Sequence, residues 1–187
     1  MKKVLVFGAS NSQNSINKKF AVFVANSLAN TELEVVDLND FQLPIYSVDL
    51  EKEMGVHDSA LKFYDLIKQS DAIVISMAEY NGLHTAAFKN LWDWMSRIPL
   101  DKPMQFWGGK PMFLLSTSPG RRPMSNVLRV SKELFPHFGA KIIADFHQPS
   151  FNHFFRNNEI VDQKQLATFE HQKNKFQIHL NNLISIK

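Results

Sequence analysis

The sequence predicts an α/β fold in which a five-stranded parallel sheet lies between two layers of helices. Short apolar segments alternate with amphipathic segments along the chain. Several apolar segments lack in–out alternation, which is typical of strands that are buried on both faces. Because crossovers between parallel strands are right-handed, this succession gives a doubly wound open sheet. With 187 residues, 44% of them hydrophobic and 21% charged, the chain suits a single domain over residues 1–187.

The spacing of apolar residues predicts the order of the elements. The predicted strands cover residues 3–7, 34–38, 72–77, 111–116 and 141–146. The repeats of Phe20, Val24 and Leu28, and of Leu61 and Ile67, predict two helices between them. Three further helices are expected over residues 86–97, 125–138 and 163–184, so that every strand is followed by a helix.

The helix predicted over residues 86–97 carries apolar side chains on two sides. Its core-facing stripe consists of Phe88, Leu91, Trp92 and Met95 at the spacing i, i+3, i+4 and i+7. Ala87 and Trp94 lie off this stripe. Two interpretations remain open: the second side forms a subunit interface, or Trp94 is a bulky residue packed under a loop.

Composition excludes several classes of protein. The absence of cysteine excludes disulfides, Cys-ligated metal sites and thiol nucleophiles, and fits a reducing compartment. Only four apolar residues precede Gly8, too few for a signal peptide or a membrane span, so we expect a complete cytoplasmic protein without a membrane partner. The 21 basic and 18 acidic residues give a net charge of +3. The basic residues are scattered along the chain, which favours small anionic ligands over nucleic acid.

Several motifs with defined chemistry are missing. No two of the seven glycines have the spacing of a dinucleotide fingerprint or a phosphate-binding P-loop. Residues 8–12 begin like a nucleophile elbow but lack its second glycine, which disfavours a serine hydrolase. The seven histidines have no metal-binding spacing, so no metal is expected.

The loop from Gly8 to Asn17 is the best candidate for a ligand site. Eight of its ten residues are small or short and polar, and the loop opens a helix. Hydroxyl and N–H groups at a helix N-terminus bind a phosphate monoester without a cation. Lys18 and Lys19 agree with a bound anion, because cations in a first turn otherwise oppose the helix dipole. The alternative is N-capping alone, which one Ser or Asn would satisfy.

Two further predicted strands end in loops of the same kind. Residues 77–82 put Tyr80 and an Asn-Gly turn after the third strand, and residues 116–121 put hydroxyl groups and a Pro-Gly turn after the fourth. Ligands of doubly wound sheets bind at the carboxyl ends of the strands, where the strand order reverses. We therefore expect the three loops to line a flat heterocycle.

Five segments together carry a resemblance to a known family. They are the loop 8–17, Leu-Pro-Ile-Tyr at 43–46 with Asp-Leu-Glu at 49–51, Glu-Tyr-Asn-Gly at 79–82, Phe-Lys-Asn at 88–90 with Asp-Trp at 93–94, and residues 116–120. In order and spacing they resemble, across residues 3–146, the NADPH-dependent FMN reductases, relatives of flavodoxin that include quinone, azo-dye and chromate reductases. The resemblance implies a flavodoxin-like three-layer α/β/α sandwich with the strand order 2-1-3-4-5.

The resemblance also implies a cofactor and the residues that hold it. FMN would be bound without a covalent link, and NADPH or NADH would be the co-substrate. The phosphate would be held by Ser10, Ser12, Ser15, Ile16 and Asn17. The ribityl chain and isoalloxazine would contact Glu79, Tyr80, Asn81 and Gly82, and the other edge of the ring would be bordered by Ser116, Ser118 and Gly120. Because the flavin carries the chemistry, no catalytic side chain is expected.

The chain departs from the family pattern in its first and third loops. Asn11 stands where the family usually has an arginine, and Ala78 where it has a proline. The missing arginine leaves the choice between NADPH and NADH open. Arg121 and Arg122 replace glycines, and they either meet the phosphates of the nucleotide or form a solvated rim.

The function implied is an NAD(P)H-dependent reductase that transfers hydride through bound FMN to a small acceptor: a quinone, an azo compound, free flavin or a metal oxyanion. Two alternatives remain, an FMN-containing electron carrier that does not oxidise NAD(P)H directly and a flavin-free scaffold. Since the family commonly forms dimers or tetramers, a homodimer or homotetramer is expected. The aromatic segment 151–156 is expected to pack on the last helix or to edge the site of a neighbouring subunit.

Overall fold

The computed structural model describes residues 1–157 and 159–183. Its strands are β1 (Lys2–Ala9), β2 (Thr31–Val35), β3 (Ala72–Met77), β4 (Glu79–Tyr80), β5 (Leu83–His84), β6 (Pro111–Thr117), β7 (Lys141–Gln148), β8 (Phe155–Arg156) and β9 (Glu159–Ile160). Its α-helices are α1 (Ile16–Asn26), α2 (Val48–Met54), α3 (Asp58–Gln69), α4 (Ala86–Met95), α5 (Asn126–Leu134), α6 (Phe151–Phe154) and α7 (Gln163–Asn182).

The main sheet has five parallel strands in the order β2-β1-β3-β6-β7. Counted along the chain without the short hairpins, this is the order 2-1-3-4-5 of flavodoxin-like folds, so the predicted fold class is confirmed. The chain leaves β1 toward β2 and then returns to the other side of β1 with β3. The strand order therefore reverses at β1, and the carboxyl ends of β1 and β3 flank the crevice.

Helices cover both faces of the sheet. On one face, α1 and α7 pack on Val4, Val6, Val74 and Phe113. On the other face, α3, α4 and α5 pack on Leu5, Phe7, Ile73, Ile75 and Leu114. Successive residues of the central strands thus point to opposite faces and are buried on both, which is why their sequences show no alternation.

Two predicted element boundaries need correction, and a third cannot be compared. The second strand covers Thr31–Val35 rather than 34–38, because the Asp37 side chain accepts from the N–H of Asn39 and caps a 3₁₀-helix that begins at Leu38. The helix predicted over 125–138 continues as a 3₁₀-helix from Phe135, where Pro136 lies in the first turn. The predicted end of the last helix, residue 184, lies outside the described residues.

The second apolar side of α4 is covered by the preceding loop. Trp94 is fully buried, its Nε1–H donates to the Pro44 carbonyl at 2.8 Å, and the ring of Tyr46 packs edge-on against it. The Asn90 amide adds bonds to the same loop, accepting from the Tyr46 N–H at 2.9 Å and donating to Pro44 at 2.9 Å. For Trp94, packing under a loop is therefore the correct one of the two interpretations.

The aromatic segment after β7 packs mainly on the first helix. Phe151 is buried, and its ring meets Phe20 of α1 edge-on at 6.3 Å. Phe155 meets Phe23, also of α1, at 4.9 Å. The packing predicted on the last helix is therefore found mainly on α1, which covers the same face of the sheet beside α7.

Within the described ranges, no helix combines the length and the apolar character that a membrane crossing needs.

Candidate functional site

Three loops meet at the carboxyl edge of the sheet, as predicted. The first loop (residues 10–15) joins β1 to α1, the hairpin β4–β5 follows β3, and the third loop (residues 118–124) joins β6 to α5. Since β1, β3 and β6 are neighbours in the sheet, the three loops are also neighbours. The structure thus brings the twelve predicted site residues to one edge, although it uses them in different ways.

The first loop leaves a cluster of donors without partners. Ser15 caps α1, its hydroxyl oxygen accepting from the Lys18 N–H at 3.2 Å, and Ser10 accepts in the same way from the Ser12 N–H at 3.1 Å. Within the described part of the chain, no partner is found for the Ser12 hydroxyl or for four backbone N–H groups, those of Gln13, Asn14, Ile16 and Asn17. With the dipole of α1 behind them, these donors suit a phosphate group.

Gly8 makes this arrangement possible. A Cβ atom at this position would lie 2.5 Å from the Lys18 nitrogen and 2.7 Å from its Cα. The first turn of α1 therefore lies directly against the end of β1, at a distance that only glycine permits. Our sequence reasoning used Gly8 only to mark the start of the loop and missed this role.

Asn17 fixes α1 to the sheet with its side chain. Its Oδ1 accepts from the Thr117 N–H at 3.0 Å and from the Ser76 hydroxyl at 2.7 Å, and its Nδ2 donates to the Thr117 carbonyl at 3.2 Å. The side chain is buried, and its Oδ1 and Nδ2 both bond within the protein. The backbone N–H of Asn17 has no partner among the described residues, and we assign the expected part of Asn17 in phosphate binding to that group.

The two lysines of the first helical turn behave differently. Lys18 Nζ lies 2.6 Å from the Asp37 carboxylate beyond β2. Burial raises the pKa of Asp37, but hydrogen bonds from Lys18 and Asn39 outweigh it and leave that pKa below its ordinary value. The charge of Lys18 is therefore largely neutralised by Asp37, whereas Lys19 is exposed and has no ion pair among the residues described.

The hairpin presents an aromatic side chain above the sheet edge. Asn81 and Gly82 have φ angles of +54° and +85°, the two positive values that a tight two-residue hairpin turn requires. The turn leaves Tyr80 51% exposed and Leu83 56% exposed. An exposed ring and an exposed apolar side chain at this place suit a flat ligand.

Glu79 connects the hairpin to α5. Its Oε2 accepts from the Ser125 hydroxyl at 2.9 Å and from the Val127 N–H at 3.1 Å, at the N-terminus of that helix. The carboxylate of Glu79 thus meets the positive end of the α5 dipole. Glu79 Oε2 therefore holds the hairpin on α5, and a ligand would have to contact other atoms of Glu79.

The third loop uses its hydroxyl groups internally. Ser116 is 1% exposed, and its hydroxyl lies 3.0 Å from that of Ser125, so this hydroxyl bonds within the protein. That Ser116 borders the ring, as the resemblance implied, stays a prediction. The Ser118 hydroxyl donates to the Gly120 carbonyl at 3.3 Å. Gly120 itself is exposed, and a Cβ there would have nothing within 4 Å. The Gly120 N–H has no partner among the described residues, whereas its carbonyl oxygen accepts from Ser118 and from the Ser150 N–H.

Sequence reasoning missed two residues that hold the loops in place. The buried hydroxyl of Thr85 caps α4 and donates to the Ala9 carbonyl at 3.0 Å, which ties the hairpin to the first loop. His147 lies between the carbonyl oxygens of Ser116 and Arg122, at 3.2 Å from each, and burial lowers its pKa. A Thr directly before a helical pattern is a recognisable cap, whereas nothing in the sequence marks His147.

The residues present fit FMN. Unpaired N–H groups at a helix N-terminus match its phosphate, and an exposed tyrosine beside open loop backbone matches its ring. In the described part of the chain, no three His, Cys, Asp or Glu side chains are grouped so as to hold a metal ion.

Comparison with known proteins agrees with this geometry. Residues 2–152 match the family model described as NADPH-dependent FMN reductase. The chain belongs to this family. The resemblance stated from the sequence is thereby confirmed.

Proteins with similar sequences to this FMN reductase family member include quinone reductases. A quinone reductase from Escherichia coli strain K12 is 35% identical over 78 residues, 42% of this chain and 39% of that protein. A 2-hydroxy-1,4-benzoquinone reductase from a Burkholderia species is 33% identical over 118 residues, 63% of this chain and 61% of that protein. The chain thus covers less than two thirds of the length of either relative.

Among solved structures, FerB from Paracoccus denitrificans, a flavoenzyme NAD(P)H:(acceptor) oxidoreductase, superposes with a TM-score of 0.74. The match covers 97% of this chain and 98% of FerB at 24% identity, and it confirms the fold of the family member.

Proposed function

We propose that this protein is an FMN-containing reductase that takes hydride from NADPH or NADH and passes it to a small acceptor, namely a quinone, an azo compound, free flavin or a metal oxyanion. The observation that carries the proposal is the set of unpaired N–H groups at the start of α1, beside an open hairpin, in a chain of this family. Bound FMN would supply the redox chemistry, since its ring can take up a hydride and pass the two electrons on to the acceptor.

The first loop binds the phosphate of the cofactor. The N–H groups of Gln13, Asn14, Ile16 and Asn17 and the hydroxyl of Ser12 donate to its oxygens, and Ser10 and Ser15 shape the loop through their own bonds. No lysine is needed in contact with the phosphate, because the donors and the dipole of α1 stabilise its charge. Lys19 adds a longer-range attraction.

The hairpin and the third loop orient the ring. The exposed side of Tyr80 and the backbone around Asn81, Gly82 and Gly120 border it, while Glu79 holds the hairpin on α5. The chain supplies orientation and backbone donors, and we assign no acid or base side chain to the reaction. An open face above the hairpin lets the nucleotide and the acceptor occupy the same place in turn.

An absorption spectrum tests the proposal. The protein is incubated with FMN, desalted, and mixed without oxygen with NADPH or with NADH. A retained flavin spectrum that bleaches within the mixing time with either nucleotide is the expected result. Retained flavin that stays oxidised overturns the reductase in favour of an electron carrier, and loss of all flavin leaves only a scaffold.

We also propose that residues 1–187 form one FMN-binding domain that works as a homodimer or homotetramer in the cytoplasm. In support, the two core clusters lie on the two faces of the same sheet, and the chain has no cysteine. Ile45 (87% exposed) lies in the loop 43–46, which bonds to α4, and Val48 (55% exposed) begins α2. Together they offer an apolar surface to a second copy. Light scattering at micromolar concentration tests this, and a monomeric mass contradicts it.

A further inference from the structure

A second concave surface adjoins the third loop. It encloses about 490 Å³, between the loop that follows β6 and the segment that follows β7. Its walls combine two basic side chains, an amide and apolar rings: Arg121, His153, Asn152, Phe154, Pro119 and Pro149. In the described ranges, no carboxylate lines it. The volume lies in the range of small-molecule sites.

Arg121 lines this cavity, and it shares with Arg122 and Arg156 the lack of an ion pair within the described ranges. It is exposed, and its guanidinium has neither an ion pair nor a hydrogen bond within the part of the chain that is described. Arg129, by contrast, lies 2.9 Å from the Glu133 carboxylate. A guanidinium at the wall of a cavity without carboxylates is well suited to a bidentate contact with a phosphate group.

The walls of the cavity are held by backbone hydrogen bonds. The Ser150 N–H donates to the Gly120 carbonyl at 2.7 Å, and the Phe151 N–H donates to the Ser118 carbonyl at 2.9 Å. Phe151 is buried against α1. The two segments are thus joined next to Arg121. Because the backbone there is already held in place, ligand binding costs little conformational entropy.

We propose that this cavity binds the adenosine 2′-phosphate end of NADPH and that Arg121 selects NADPH over NADH. The inference rests on the proposed function, since it supplies a place for the far end of the nucleotide. Arg121 directly follows Gly120, whose backbone we expect beside the flavin ring, and Phe154 with the two prolines offers apolar surface to adenine. The 2′-phosphate is the one group that distinguishes the two nucleotides, and a basic cavity without carboxylates favours the nucleotide that carries it.

The test compares two adjacent arginines. Arg121→Met removes the guanidinium that lines the cavity, and Arg122→Met removes the same charge one residue away, where the side chain does not line it. For each variant, KM and kcat are measured with NADPH and with NADH on the FMN-loaded protein. Calorimetry then measures the Kd of adenosine 2′,5′-bisphosphate and of AMP, neither of which carries a hydride.

We expect Arg121→Met to raise KM for NADPH and Kd for the bisphosphate about tenfold, and to change the values for NADH and AMP by less than about twofold. Arg122→Met should change none of these values by more than about twofold. Equal weakening of NADPH and NADH by Arg121→Met, or equal effects of the two variants, overturns the inference.

The two proposals fail separately. Turnover of both nucleotides by the wild-type protein, with a KM for NADPH that does not depend on Arg121, leaves the reductase and overturns the cavity assignment. Bisphosphate binding that depends on Arg121, in a protein that retains no FMN, supports the cavity and overturns the reductase.

Discussion

The first and third loops are both rich in hydroxyl groups and both lead into a helix, but only the first leaves its donors open. At α5, the Glu79 carboxylate already occupies the Val127 N–H and the Ser125 hydroxyl. At α1, no carboxylate approaches the corresponding groups within the described residues, and the N–H groups of Ile16 and Asn17 have no partner there. The positive N-terminus of α5 is thus occupied by a carboxylate of the protein itself, whereas that of α1 is left open to a ligand.

This difference shows why hydroxyl content alone does not identify a phosphate site. The serines of the third loop bind one another or the nearby backbone, as Ser116 does with Ser125 and Ser118 with Gly120. These bonds shape the loop, and they leave Gly120 and the side chains of Arg121 and Arg122 exposed. The first loop depends instead on how closely α1 approaches β1.

The largest effect is expected from Gly8→Ala. The added Cβ would lie 2.5 Å from the Lys18 nitrogen, so α1 has to move and the donors of the first loop lose their arrangement. We expect a loss of roughly 3 kcal/mol or more in the free energy of unfolding, measured in urea, and no retained FMN. Gly120→Ala is the matched control, with nothing within 4 Å of its Cβ, and should change stability by less than about 0.5 kcal/mol. Equal effects of the two substitutions would contradict the distinction between the loops.

A smaller effect is expected from Asn17→Ala. The substitution removes three hydrogen bonds and leaves the Thr117 N–H and the Ser76 hydroxyl without their partner in the interior. Unfolding in urea should show a loss of about 2–3 kcal/mol. Ser118→Ala removes one hydrogen bond, the 3.3 Å bond from the Ser118 hydroxyl to the Gly120 carbonyl near the surface. It should lower the free energy of unfolding by less than about 0.5 kcal/mol. If Asn17→Ala lowered the free energy of unfolding only slightly, α1 would be held at the sheet by its close approach at Gly8 and by apolar packing alone.

The sequence allowed the sheet and its ligand edge to be predicted, because both follow from local patterns. Strands buried on both faces have no alternation, and the Asn-Gly pair predicts a turn after the third strand, although the two short strands on either side of that turn were not predicted. The bonds between loops could not be predicted in this way. Asn17 reaches Thr117 across a hundred residues of chain, and Glu79 reaches Val127 across 48, so neither pairing leaves a local trace. For the same reason Ser116 and Ser118 looked alike in the sequence, although only Ser116 is fully buried.

The tie between the hairpin and α5 gives a pH dependence. His84 Nε2 lies 2.9 Å from the Ser131 hydroxyl, and Phe88 and Phe135 pack around the ring. Burial, helped by the charge of Lys89, lowers the pKa of His84 to about 4, well below its ordinary value of 6.5. Between these two values the unfolded chain binds more protons, so stability is fully present above pH 6.5 and is lost as the pH falls toward 4.

Because His84 is partly exposed, we expect this loss to reach only about 1–2 kcal/mol. His84→Gln keeps a hydrogen-bonding amide for the Ser131 hydroxyl but cannot titrate, so its urea denaturation should vary less between about pH 7 and about pH 5 than that of the wild type. Parallel pH profiles for the two proteins would show that His84 does not carry the dependence.

The smallest effect is expected from Ser12→Ala, and it tests the first loop most directly. The Ser12 side chain is exposed and has no partner among the residues described, so its removal should leave the free energy of unfolding unchanged. If this hydroxyl donates to the phosphate, the Kd of FMN should rise about fivefold to tenfold, as measured by quenching of flavin fluorescence. Ser118→Ala should leave that Kd within about twofold, because its hydroxyl already donates to Gly120. Both changes delete one hydroxyl from a hydroxyl-rich loop. If they weakened FMN binding equally, the ligand would take its donors from both loops. The open N-terminus of α1 would then not be what distinguishes the first loop from the third.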